Sequence, residues 1–173
     1  MLGETNQTPR RVLFVTLSNI GDLVMTTPLM VALHEQFPDA LIDVVADKRS
    51  GELLAGCPFV GEIFWKTKQS SVVEKWRFLR KLRRRKYYLA IDLRGPWLAW
   101  LSRSKHAGRK APRHNEMHAV EHHFTAISLF VENSEIPWSN LWLPEVVIQK
   151  AEKIVGDAAM TNRRLLALAP GAN

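Results

Sequence analysis

The stretch Arg11-Val12-Leu13-Phe14-Val15-Thr16-Leu17-Ser18-Asn19-Ile20-Gly21-Asp22 decides the fold. Its β-prone run, 12–17, is apolar on both faces, as a strand covered by helices on each side must be. A polar turn follows, and helical spacing takes over for 21–36. At about 100° per residue, Ile20, Val24, Thr27 and Val31 share one helix face, with Leu23 and Met30 beside them. Asp22 points the opposite way from the first turn, toward whatever occupies the space beyond the strand. The plain reading of Asp22 is a carboxylate complementing the helix dipole, worth about 0.3 to 1 kcal/mol. The chemical reading makes it a base facing a ligand, because open α/β sheets collect ligands beyond the carboxyl ends of their strands.

The same alternation continues along the chain. Strands are expected at 41–46, 62–65, 87–93 and 165–169, and helices at 49–55, 72–85, 116–131 and 145–159. A βαβ series of this kind is an α/β protein with a Rossmann-like, mostly parallel sheet. The segment 134–144, with Pro137 and Pro144 bracketing two tryptophans, reads as an irregular connection. The first turn lacks the glycine pattern of dinucleotide-binding enzymes, which disfavours a dehydrogenase.

With 173 residues and 46% hydrophobic content, the chain can build one domain with a real core. Its single cysteine, Cys57, cannot form an internal disulfide, and the first residues lack the apolar run of a secretory signal. Both observations favour a cytoplasmic setting. Every apolar run stops short of the roughly 20 residues needed to cross a bilayer, so membrane contact is expected to be peripheral. The net charge is +7, and the segment 74–86 alone holds eight basic residues against one acid. That is a local patch, not a coat suited to nucleic acid.

Five motifs in order carry a family resemblance. They are Arg11 to Val15 with Ile20-Gly21-Asp22 and Thr26-Thr27-Pro28; Phe37-Pro38-Asp39-Ala40; Cys57-Pro58-Phe59-Val60; Ala90-Ile91-Asp92-Leu93-Arg94-Gly95; and His118-Ala119-Val120-Glu121. Together they resemble the amino-terminal domain of the ADP-heptose:lipopolysaccharide heptosyltransferase family, glycosyltransferase family 9. The resemblance implies the GT-B fold, two Rossmann-like domains facing a cleft, with the acceptor on the first and ADP-heptose mainly on the second. It also implies transfer of heptose to a lipopolysaccharide inner-core acceptor with inversion, without a cofactor or metal. Asp22 would then be the general base. Gly21 would allow close approach, and Ser18, Asn19 and Thr26 would line the acceptor beside it. Arg109, Lys110, Arg113 and His118 would border the acceptor's acidic sugar. On this reading 1–10 is a disordered tail, 11–162 the acceptor-binding domain, and 163–173 the start of a missing donor-binding domain. Gly171 would sit at the donor phosphate. Little activity is expected of such an incomplete half by itself.

Other residues suggest further roles. Asp92 and Arg94 end a strand and could hold acceptor hydroxyls and an anionic group, or pair with each other. Trp97 and Trp100, three apart, read as core ahead of stacking on a sugar or resting at a membrane interface. Val72, Trp76 and Leu79 form an apolar stripe by which the basic helix could dock on its own protein. Arg77, Arg80, Lys81, Arg84 and Arg85 would then face an anionic membrane, placing the protein on the inner surface of the cytoplasmic membrane. His114, His118 and His122 recur every four residues and raise a rival metal-hydrolase reading, although the remaining ligands of a zinc site are lacking. A second rival is a non-catalytic module binding anions or lipids through the basic patch.

Overall fold

A computed structural model describes residues 11–66, 71–95, 97–112 and 116–159. The expected tail at 1–10, the strand at 165–169, the boundary at 162, and Arg113, His114 and Gly171 lie outside the described residues. Two compact units divide at Trp142 and Leu143.

In the first unit, β1 (Arg11–Val15), β2 (Leu41–Ala46), β3 (Val60–Trp65), β4 (Leu89–Asp92) and β5 (His106–Gly108) form one sheet. The order is β3-β2-β1-β4-β5, with every neighbouring pair parallel. Helices α1 (Ile20–Val24) and α2 (Thr27–Gln36) connect β1 to β2, while the short α3 (Lys48–Gly51) continues into a 3-10 turn before β3. Helix α4 (Val72–Arg84) returns from β3 to β4, and α5 (Trp97–Ser102) leads to β5. Helix α6 (Ala119–Phe124) follows.

Alternate strand residues feed two cores. Val12, Phe14, Ile42, Val44, Leu89 and Ile91 pack with Leu29, Met30 and Leu33 of α2 and with Phe124 and Ile127. Leu13, Val15, Val45 and Ala90 pack with Leu82 of α4 and Ala99 of α5. The sheet is therefore covered on both faces, as apolar strands without alternation require.

The helix expected over 21–36 is broken. Thr26 and Thr27 turn their hydroxyls back onto the carbonyls of Leu23 and Val24, at 2.7 and 2.8 Å. Pro28, lacking an N–H, could not have continued the first helix, and it stands instead at the start of α2. The break displaces only the start of the face assigned from continuous periodicity, and Val31 still packs against the core. Ile20 is exposed, whereas Leu23, Thr27 and Met30 are buried.

The expected helix over 116–131 shrinks to α6 for a similar reason. Ala126, Ile127 and Phe130 each bond to the carbonyl three residues back, and the hydroxyls of Thr125 and Ser128 do the same. Such tight turns are poor continuations of an α-helix. The chain here presses on β5: a Cβ on Gly108 would stand 2.2 Å from the Ala126 carbonyl oxygen. From Ser134 to Trp142 the backbone is irregular, as expected, with Trp142 set edge-on to Phe59.

Cys57 is buried in the first core, and burial, against weaker opposing backbone hydrogen bonds, pushes its thiol up to about 11. A thiol-alkylating reagent at pH 8 is therefore expected to label native protein far more slowly than urea-unfolded protein. Equal labelling rates would contradict this placement.

The second unit holds α7 (Glu145–Ala159), whose first turn is anchored by the amides of Val147 and Ile148 on the Pro144 carbonyl. Gln149 donates to Glu145 at 3.0 Å one turn earlier.

Candidate functional site

Because all five strands run the same way, the turns after them gather on one edge. The strand order reverses between β1 and β4, and the chain leaves these two ends in opposite directions. Ser18, Asn19, Gly21 and Asp22 follow β1, Asp47 follows β2, Asp92 and Arg94 end β4, and Arg109 and Lys110 follow β5.

Asn19 precedes α1 with extended backbone, but its side chain makes no cap to the helix backbone. Its amide instead donates to Asp22 Oδ2 at 3.0 Å. Asp22 is half-buried in the first turn of α1. Among the described residues, nothing beyond the neighbouring residues and backbone of α1 lies within 4 Å of where a Gly21 side chain would begin, so the surface there is open. Ser18 is exposed beside them.

Thr26 is a correction. It is fully buried, its hydroxyl held by the Leu23 carbonyl and lying 3.0 Å from the Thr16 hydroxyl. It locks the joint between α1 and α2 and has no path to a ligand.

Asp92 is also turned to its own backbone. It is 7% exposed and accepts hydrogen bonds from the amides of Arg94, Gly95 and Leu98 at 3.0 to 3.1 Å. It thus fixes the turn into α5 through its own backbone. Arg94 does not pair with it. Its Nε donates to the Thr16 carbonyl at 2.6 Å and its Nη2 to Asp47 at 3.1 Å, bracing the ends of β4, β1 and β2 together. Partial burial raises the Asp47 carboxyl, but the Ser18 hydroxyl and the Arg94 guanidinium outweigh it and hold the group below its usual range.

Between β4, β5 and α5 lies a hollow of about 630 Å³. Arg94, Arg103, Lys105, Arg109 and Lys110 line it together with His106, against Asp92 as the single acid. Burial holds the Lys110 ammonium below its ordinary pKa, opposed by the nearby Asp92 charge. A partly desolvated cation among other cations favours an anionic guest. Asp22 stands on the same sheet edge, outside the wall of this hollow.

His118 does not join a helical histidine face. It is extended and caps α6, receiving the Val120 amide at 3.4 Å, while Glu121 accepts from its own amide at 3.0 Å. His122 Nε2 lies 3.0 Å from the Ala111 carbonyl oxygen. His118 thus stands outside the helix that carries His122, and among the described residues, which do not include His114, no group of three ligands could hold a metal.

On α4, Lys81 and Arg85 both pair with Glu62, and Arg83 donates to the Leu101 carbonyl at 2.8 Å. Arg77, Arg80 and Arg84 stay exposed. Among the described residues, no helix is long and apolar enough to cross a membrane.

Comparison with known proteins bears on the fold. No protein-family model matches the chain. Lipopolysaccharide heptosyltransferase 3 of Escherichia coli is 30% identical over 83 residues, 45% of this chain and 24% of that protein. A glycosyl transferase family 9 structure from Veillonella parvula matches with a TM-score of 0.69 at 18% identity, covering 86% of this chain and 50% of the other. The fold is that of half a family 9 glycosyltransferase. The E. coli ADP-heptose lps heptosyltransferase II matches likewise, with a TM-score of 0.64 at 17% identity over 84% of this chain and 50% of its own. The chain thus spans about half the length of these solved structures, and the heptosyltransferase resemblance read from its motifs holds.

Around this sheet edge, Arg103, Lys105, His106 and Asp47 were missed by sequence reasoning. The first three belong to the run 103–110, whose alternating cations around a short strand were the available signal. Asp47 carried none, since its partner Arg94 lies 47 residues away.

Proposed function

We propose that this chain is the acceptor-binding half of an inverting heptosyltransferase that uses ADP-heptose and glycosylates an anionic lipopolysaccharide inner-core acceptor. The observation that carries the reading is a strongly cationic hollow at the carboxyl edge of a family 9 sheet, next to the turn bearing Asp22. An acceptor's acidic groups would lie against Arg103, Arg109 and Lys110, directing a sugar hydroxyl toward Asp22. The hydroxyl oxygen would attack the anomeric carbon as the bond from that carbon to the diphosphate breaks. ADP leaves, and the hydroxyl proton passes to Asp22. The donor assignment draws on the solved relative named for ADP-heptose. A glycolipid acceptor would place the protein in the cytoplasm, peripheral to the inner face of the membrane, with the basic face of α4 toward anionic lipid. On the same reading 11–162 is the acceptor domain, with 163–173 leading into a donor-binding domain.

Calorimetric titration of the chain with an acidic inner-core oligosaccharide tests the reading. Arg103→Ala with Arg109→Ala is expected to weaken binding at least tenfold, at about 1.5 to 3 kcal/mol for each charge-assisted hydrogen bond removed. Unchanged affinity in that variant would place the acceptor elsewhere.

A further inference from the structure

Helix α4 does not dock along the stripe its sequence suggests. Phe78 and Leu82 face the core, while Val72 and Trp76 stand out, Trp76 being 63% exposed. On the helical wheel the outward side carries Val73, Trp76, Arg77, Arg80 and Arg84, apolar in the first turns and cationic in the last. Trp97, at the start of α5, is 72% exposed and lines the same shallow apolar hollow as Trp76, Trp65 and Val72. Lys66 and Lys75 edge this hollow. Its acid, Glu74, is bound to the amide and hydroxyl of Ser71 in a capping box.

Large exposed apolar side chains gathered in one place call for a cover. Tryptophan joined to arginine and lysine is the composition suited to the headgroup boundary of an anionic bilayer. The ring enters the acyl boundary while the cations meet lipid phosphates. Helices α4 and α5 both begin just after the carboxyl ends of β3 and β4, on the sheet edge that carries Asp22 and the cationic hollow.

We propose that Val72, Trp76 and Trp97 form a membrane-inserting tip, and that the outer arginines of α4 hold this tip on an anionic bilayer. The tip would bring the sheet edge bearing the acceptor hollow to the lipid surface. The inference deepens the membrane placement given under the proposed function and rests on it for the meaning of that orientation. The insertion itself requires no acceptor.

The test is sedimentation of the 173-residue chain with vesicles of phosphatidylglycerol and phosphatidylethanolamine, and with phosphatidylcholine alone, all free of lipopolysaccharide. Wild type is expected to bind the anionic vesicles at least tenfold more tightly than the neutral ones. Its tryptophan emission should be quenched by lipids brominated on their acyl chains. Trp76→Phe with Trp97→Phe should keep most of the binding while losing most of the quenching, whereas Trp76→Glu with Trp97→Glu should lose binding at least tenfold.

Unaltered binding by the glutamate pair, with native circular dichroism, would overturn the proposal. Vesicle binding without acyl-chain quenching would also overturn it, reducing the interaction to surface charge. A wild-type self-association removed by the glutamate pair, without vesicle binding, would assign the tip to a second copy of the chain and overturn it too. None of these outcomes changes acceptor affinity in solution, so failure here is distinct from failure of the transferase reading.

Discussion

Asp43→Ala is expected to destabilise the fold by about 3 to 5 kcal/mol, the range for breaking a buried ionic cluster by removing one partner. Asp43 is fully buried on β2. Its carboxylate accepts from Arg11 at 2.7 and 2.8 Å, from the Tyr87 hydroxyl at 2.9 Å and from the Glu62 amide at 2.9 Å. One side chain thus ties β1 and β3 to β2, along with the residue pair that precedes β4. Arg11 is partly exposed and would rehydrate, so its share of the loss is small. Most of the cost comes from the buried Tyr87 hydroxyl and the Glu62 amide, at about 1 to 3 kcal/mol for each unsatisfied group. Burial, reinforced by the Asp43 charge, already pushes the Tyr87 hydroxyl well above its ordinary range, so it remains a proton donor in need of an acceptor. Urea unfolding followed by circular dichroism measures the effect. A loss under about 1 kcal/mol would mean that the cluster is dispensable.

Asp22→Asn is expected to lower heptose transfer by about 10² to 10⁴-fold, measured in a protein that joins this half to a donor-binding half. Acceptor affinity should be unchanged, because the hollow that carries the cations does not include Asp22. Asparagine keeps the shape and can still accept from Asn19, so only the carboxylate's charge and proton affinity are removed. The lost helix-dipole interaction costs about 0.3 to 1 kcal/mol of stability, too little to mimic the kinetic effect. If transfer fell less than threefold, Asp22 would be a dipole partner only. The half would then hold the acceptor while another group accepted the proton.

The central strands were legible because they are apolar on both faces, as strands of a doubly covered parallel sheet are, and because helical spacing alternates with them. Asp43 is the exception that this reading passed over: one charge inside 41–46 did not disturb the pattern, although its partners come from three other segments. The break at Thr26 escaped because hydroxyls bonding back to a carbonyl leave no mark on hydrophobic periodicity. Strand β5, with three residues, is too short to show a period at all. Trp97 and Trp100 were read as core from their size and spacing, yet both are 72% exposed, so aromatic spacing alone misjudged the surface. At the candidate site, the junction after β1 was visible in its motif and the cationic hollow only in part. Arg109 and Lys110 fell beside a recognisable motif, whereas Arg103 and Lys105 reach the hollow through the turn after α5. Arg103 adopts a left-handed backbone there, with φ of 56°.

Arg94 gives the rim of the sheet a collective character. Three strand ends converge on one guanidinium, whose geometry is fixed by a carbonyl on one side and a carboxylate on the other. An incoming phosphate or carboxylate would compete with Asp47 for that cation. A guest that takes the place of Asp47 would loosen the rim, whereas one held by the remaining N–H groups of the guanidinium would leave it fastened.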